Sequence, residues 1–254
     1  MSGRVELVPV EGLPEIEPGD ALGELIARTV SRGGTTLTGE DVLVVSQKIV
    51  SKAEGRIVEL DDVEPGERAV ELAGRLGKDP RLVELILRES AEVVRAERDV
   101  LIVESRAGWV SANAGVDASN VPGDERVTLL PEDPDASARR LRAELRELSG
   151  AAPAVVIADS FGRPWRLGQT DVAIGCAGLA AVDDWRGRLD SHGAELAATA
   201  IAIADEVAAA ADLVRAKDEG VPVAIVRGLA RFVTAGDGPG AAALRRPRED
   251  DLFR

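Results

Sequence analysis

The sequence predicts a mixed α/β fold. Short β-branched runs with the character of buried strands alternate with longer segments whose apolar residues recur at helical spacing. Polar clusters follow directly on several of those strands, where α/β proteins place ligand-binding groups. With 45% hydrophobic residues in 254, the chain can bury a sizeable core as one large domain or two small ones.

Taken in order, residues 21–30 carry Leu22, Leu25, Ile26 and Val30 on one helical face, and Gly33-Gly34 ends the segment. Asp41-Val42-Leu43-Val44-Val45 reads as a buried strand feeding a polar loop that opens with Ser46-Gln47-Lys48. Residues 67–76 and 80–95 show helical spacing again, the second with Leu82, Leu85, Ile86 and Ser90 along one face, and both read as surface helices. Strands at 100–103, 109–112 and 127–130 are separated by Gly, Pro, Asn and Asp. Asp133 is an N-cap ahead of Pro134, which predicts a helix over 133–148 closing at Ser149-Gly150. The strand 154–158 delivers Asp159-Ser160 at its C-terminal end. An alanine-rich helix over 194–217 would run about 36 Å, and its small-residue face suits a subunit interface or a crossing of a single core equally. A last strand at 221–226 ends in Arg227-Gly228, and the charged tail 245–254 is peripheral.

Composition excludes several functions. Thirty-one Lys and Arg against 45 Asp and Glu leave a net charge of −14, which disfavours nucleic acid and anionic membrane surfaces as partners. One cysteine, Cys176, and one histidine, His192, rule out an internal disulfide and a His/Cys zinc cluster, so a metal must sit on oxygen ligands. No basic region followed by an apolar stretch opens the chain, so no signal peptide is expected and the expected location is cytoplasmic. The longest uncharged apolar run, 172–182, falls far short of the roughly 20 residues that span a bilayer.

Familiar phosphate motifs are missing. Residues 74–78 have the wrong spacing for a phosphate loop, and 236–240 follow no strand and contain a proline, so they read as a plain loop. Asp159-Ser160-Phe161-Gly162 lacks the leading glycine of a nucleophile elbow, which disfavours serine hydrolysis. Four segments carry chemistry instead. Residues 113–120, Asn-Ala-Gly-Val-Asp-Ala-Ser-Asn, space amides, a carboxylate and a hydroxyl as a hard cation or a nucleotide would require, although a polar turn has the same composition. Asp159-Ser160 offers a second carboxylate and hydroxyl that would hold Mg²⁺ or Mn²⁺ together with Asp117, or simply cap a turn. Residues 46–56 gather three cations suited to phosphate, or to plain solvation. Residues 183–193 mix Arg, Asp and Trp, as an anionic aromatic ligand or an interface loop would use.

Glu11-Gly12-Leu13-Pro14, residues 46–56, 113–120 and 130–135, Asp159 to Arg163 with Trp165-Arg166, and Ala204-Asp205-Glu206 occur in the order found in the coenzyme F420-0:L-glutamate ligases. The resemblance to that family runs from about Val8 to Gly228. It implies an amide ligase of F420 biosynthesis. GTP would phosphorylate the terminal carboxylate of F420-0, the amine of L-glutamate would displace phosphate from the acyl phosphate, and a further γ-linked glutamate would follow. Matched position by position, the resemblance makes Asp117 and Asp159 catalytic and places a divalent cation, Mn²⁺ or Mg²⁺, on Asp117, Asp159 and Ser160. K⁺ is a candidate monovalent cation. GTP contacts fall on Glu11, Gly12, Leu13, Pro14, Gln47, Lys52 and Asn120. Lys217 stands near a metal-associated Glu or Gln of archaeal members, and a protonated lysine does not ligate metal. Arg163, Trp165, Arg166, Asp190, Gly193 and Glu195 are looser matches for an F420-0 or glutamate pocket.

The family's fold implies two α/β subdomains within residues 1–254 and a butterfly-like, intertwined homodimer with active sites near the subunit contact, which favours the interface reading of the alanine-rich helix over 194–217. No C-terminal nitroreductase-like flavin domain is expected. The competing readings are a metal-dependent nucleotide or phosphate-ester hydrolase on the same oxygen ligands, and a non-catalytic dimeric binding module.

Overall fold

The computed structural model describes residues 3–119, 125–215 and 220–253. In chain order the elements are β1 (Glu6–Pro9), α1 (Leu22–Arg32), β2 (Val42–Ser46), α2 (Gln47–Ala53), β3 (Ile57–Glu59), α3 (Glu67–Leu76), α4 (Pro80–Arg88), β4 (Ser90–Glu97), β5 (Val100–Ser105), β6 (Val110–Ala112), β7 (Arg126–Thr128), α5 (Pro134–Ser149), β8 (Ala154–Arg163), β9 (Arg166–Ala177), β10 (Asp183–Asp184), β11 (Ala200–Ile201), α6 (Ile203–Asp212) and β12 (Val223–Arg227), with short 3₁₀ turns between. The fold is mixed α/β, as the sequence predicts.

A five-stranded sheet in the order β1-β12-β2-β8-β9 forms the centre. Only β2 and β8 run parallel; every other neighbouring pair is antiparallel. Both faces are covered, which explains the unbroken apolar runs of β2, β8 and β12. Leu43, Val45, Val155, Ile157 and Ile225 face α1 and α5 through Ile26, Leu141 and Leu145. The alternate residues Val42, Val44, Val156 and Val226 face α6 through Ile203, Val207 and Ala208. A separate core under α3 and α4 joins Leu72, Leu76, Val83 and Ile86 to Leu101 and Val103 of the β4-β5-β6 sheet and to Val127 of β7. These two helices each bury one face in this core and turn the other toward solvent, as the sequence reading of surface helices expects.

Several polar residues of the ordered motifs are structural. Asp133 caps α5 by accepting from Ala136 N at 2.9 Å, and Gly150 closes the helix in the left-handed region. Asp135 accepts from Cys176 N at 2.8 Å, Ala241 N at 2.7 Å and Ala242 N at 3.1 Å, which ties the C-terminal segment to β9. Asp205 accepts from Ala173 N at 2.9 Å, so α6 is fastened to β9 as well. Gly175 lies where α5 meets β9: an added Cβ would sit 2.3 Å from the Pro134 carbonyl oxygen.

Four expectations are corrected. The helix expected over 80–95 stops at Arg88, because residues 90–97 pair antiparallel with β5 and cross-strand hydrogen bonding outweighs the local helical spacing. Residues 46–56 are mostly helix: Ser46 caps α2, accepting from Lys48 N, and the segment is no open loop. The strand expected to end at 158 continues to Arg163, since Asp159 to Arg163 pair with β9 after the parallel pairing with β2 has ended at Ala158. The alanine-rich helix spans only Ile203–Asp212, and Ala204, Ala208 and Ala211 pack on this chain's own sheet, so the single-core reading of that face is the one realised. Part of its expected C-terminal end, Lys217 included, lies outside the described residues. Strands β1, β3, β10 and β11, which have two to four residues each, have no counterpart in the sequence reading because so short a run carries no clear period.

Candidate active site

A cleft of about 970 Å³ opens where the parallel pair β2/β8 ends. Its walls come from the segment 13–16, α2, residues 111–119, the β8/β9 hairpin, Asp212 and Arg215 at and just beyond the end of α6, and residues 220–222. The site thus stands at the carboxyl end of parallel strands, which leaves their last residues free to bind ligand.

Asp117 and Asp159 both line this cleft, with Ser160 beside them. Asp117 follows a tight turn in which Asn113 and Ala114 have φ of 55° and 54°, a left-handed conformation that non-glycine residues rarely adopt. Its backbone is pinned by reciprocal bonds with Thr128, N to O at 3.1 Å and O to N at 2.8 Å. Lys48 Nζ donates to Asp117 Oδ2 and to Ser119 Oγ, each at 2.8 Å, and also to the Ser119 carbonyl. Ser119 returns two bonds to Asp117, N to Oδ1 at 2.7 Å and Oγ to Oδ2 at 2.9 Å. Burial acts to raise the Asp117 pKa, and the hydrogen bonds from Lys48 and Ser119 more than offset it, so the carboxyl is held below its ordinary range.

Asp159 behaves oppositely. Burial above all, with the negative charges of Asp171 and Asp117 adding to it, pushes its carboxyl up to about 7 against the hydrogen bond from the Ser160 N–H and the charge of Lys48. A carboxylate so short of positive charge is suited to a cation. The donor set agrees: two carboxylates and the Ser160 hydroxyl are hard oxygen ligands, appropriate to Mg²⁺ or Mn²⁺. Among the described residues no three His, Cys, Asp or Glu side chains come together as a metal-ligand group. The residues present therefore fit an ion that keeps waters and takes further oxygens from substrate phosphates.

Of the positions matched to GTP contacts, Leu13, Pro14, Gln47 and Lys52 line the same cleft. Gln47 is buried and accepts from Ser51 Oγ at 2.9 Å, while Lys52 pairs with Glu15. Glu11 and Gly12 instead line a second pocket of about 450 Å³, beside Thr29 and Arg32. Asn120 lies outside the described residues.

Arg163, Trp165 and Arg166 stand at the β8/β9 hairpin tip, where Trp165 is 73% exposed and its ring lies 4.9 Å from that of Phe253. Asp190 accepts from His192 N and Ala194 N in a turn closed by the Leu189–Glu195 bridge. None of these residues, nor Glu195, lines the cleft. Sequence reasoning assigned no role to Asp171, Arg215, Ser111 or Gln169, all of which line it. Asp171 carried one signal, a lone carboxylate immediately before the uncharged apolar run 172–182; Arg215 carried none.

The family profile described as F420-0:Gamma-glutamyl ligase matches residues 12–228. The chain is 46% identical over 251 residues to the coenzyme F420:L-glutamate ligase of Methanothermobacter thermautotrophicus, covering 98% of this chain and 99% of that one. It is 47% identical to the protein of the same name from Methanopyrus kandleri, over 99% of this chain and 97% of the relative. The Methanocaldococcus jannaschii protein of that name is 40% identical, again over 99% of this chain and 97% of its own. Two-thirds of the chain and more being shared with relatives at this identity, the protein is an enzyme of the F420-0:gamma-glutamyl ligase family.

Proposed function

We propose that the protein joins L-glutamate to coenzyme F420-0 with GTP as the energy source, through an acyl phosphate, and adds further γ-linked glutamate afterwards. The observation that carries this reading is the meeting of Asp117, Asp159 and Ser160 with Lys48 and Lys52 in one cleft. A carboxylate does not react with an amine until its oxygen is made a leaving group, and transfer of the GTP γ-phosphate does that. A divalent cation held by Asp117, Asp159 and Ser160 would neutralise phosphate charge. The chain's own part is positioning: the cap at Ser46 orients α2, which turns the Lys48 and Lys52 ammonium groups toward the cleft for the anionic phosphates. Ser119 and Thr128 hold Asp117 in place. In a chain of net charge −14 these two lysines supply positive charge where three anionic substrates must meet.

The remaining features follow from the same reading. Mn²⁺ or Mg²⁺ serves as the divalent ion, with K⁺ as an added monovalent one. The central sheet and the α3/α4 lobe, each with its own core, act as two subdomains. The enzyme works as a homodimer in the cytoplasm, without nucleic-acid partners. No helix among the described residues is long and apolar enough to cross a membrane.

Incubation with F420-0, L-glutamate, GTP and Mn²⁺, read by mass spectrometry, tests the activity. Absence of both glutamylated product and GDP with either metal overturns it. Phosphate release from GTP at full rate without glutamate would favour the hydrolase reading instead.

A further inference from the structure

The proton of the Ser160 hydroxyl is already committed. Ser160 Oγ donates to Asp171 Oδ1 at 2.6 Å, and the two residues face each other across the β8/β9 ladder. The second carboxylate oxygen, Asp171 Oδ2, accepts from the guanidinium of Arg215. Asp171 and Arg215 are each only 5% exposed. Among the described residues Arg215 Nε has no hydrogen-bond partner, and the guanidinium pairs with this carboxylate.

We propose that Asp171, fixed by Arg215, is a positioning residue that sets the cation affinity of the cleft by orienting the Ser160 hydroxyl; this rests on the metal reading of Asp117, Asp159 and Ser160. A hydroxyl has one proton and two lone pairs. With the proton directed to Asp171, the lone pairs are left for a cation, and donation to a carboxylate makes the oxygen a stronger ligand. An unanchored hydroxyl would rotate and present its proton to the ion in part of the ensemble. Arg215 is needed because a buried carboxylate without a cation is costly.

The test is Mn²⁺ affinity of the full chain, read by electron paramagnetic resonance of free Mn²⁺, with no turnover required. Ser160→Ala and Asp171→Asn should each weaken binding about tenfold or more, as outer-shell partners of metal ligands do, and the double variant should bind no more weakly than Ser160→Ala alone. Binding by Asp171→Asn within about twofold of wild type while Ser160→Ala is weakened, or losses that multiply in the double variant, overturns the proposal. Arg215→Lys keeps the buried charge and carries the test should Asp171→Asn fail to fold. Its loss must appear in the wild-type background and vanish in Ser160→Ala; a loss of equal size in both is a purely structural effect and refutes the relay. If Ser160→Ala, Asp117→Asn and Asp159→Asn all leave Mn²⁺ binding unchanged, the metal site itself is wrong and the proposal falls with it.

Discussion

Metal binding at this site should release a proton, and the proton should come from Asp159. In the metal-free protein its carboxyl is pushed up to about 7, chiefly by burial and then by Asp171 and Asp117. A ligating carboxylate must be ionised, so the cation competes with that proton. With a pKa of about 7 the group is roughly nine-tenths protonated at pH of about 6 and one-tenth at about 8, so apparent Mn²⁺ affinity should rise about tenfold, or ~1.4 kcal/mol, from the lower of those values to the higher. Calorimetric titration in two buffers of different ionisation enthalpy reads both the affinity and the proton count. Release should be about half a proton near pH of about 7 and shrink toward zero well above it. The stability of the metal-free protein carries the same sign. A carboxyl whose folded pKa is raised from 3.8 to about 7 contributes stability that is fully present below 3.8 and is lost as pH rises through about 7. Thermal melts without metal should therefore lose ground over that window, and Asp159→Asn should lose much less. Affinity that stays constant from pH of about 6 to about 8, with no proton released in either buffer, would refute the assignment of Asp159 as a cation ligand.

Other outcomes follow from single contacts. Asp117→Ala should abolish glutamylation while the melting temperature stays within the range of a change of about 1 kcal/mol, since Asp117 is partly exposed and bears no core packing; retention of full activity would remove it from the site. Asp135→Ala strips the acceptor from three backbone N–H groups, Cys176, Ala241 and Ala242, and should cost on the order of 3 kcal/mol in denaturant unfolding while leaving the cleft residues unaltered. Gly175→Ala drives a methyl group against the Pro134 carbonyl and should destabilise by about 1–3 kcal/mol, measured by chemical denaturation; a neutral result would mean that α5 shifts freely on β9.

What the amino-acid sequence determined by itself is local or compositional. The β2, β8 and β12 runs, the capped helix α5 and the lack of a His/Cys cluster are legible because periodicity, cap chemistry and residue counts act over a few neighbours or over the whole chain. The resemblance carried the site positions, and Asp117, Asp159, Ser160, Leu13, Pro14, Gln47 and Lys52 do line one cleft. Tertiary structure decided the rest. Residues 90–97 become a strand because β5 supplies hydrogen-bond partners from a distant stretch of chain, and Ala204, Ala208 and Ala211 face inward because the sheet is there to receive them. The Ser160–Asp171–Arg215 relay joins three positions, one of them 44 residues from the next, through a single buried guanidinium. No spacing rule finds such a group, because side chains from different elements meet only after the backbone has folded, and the low dielectric of the interior then gives their pairing its strength.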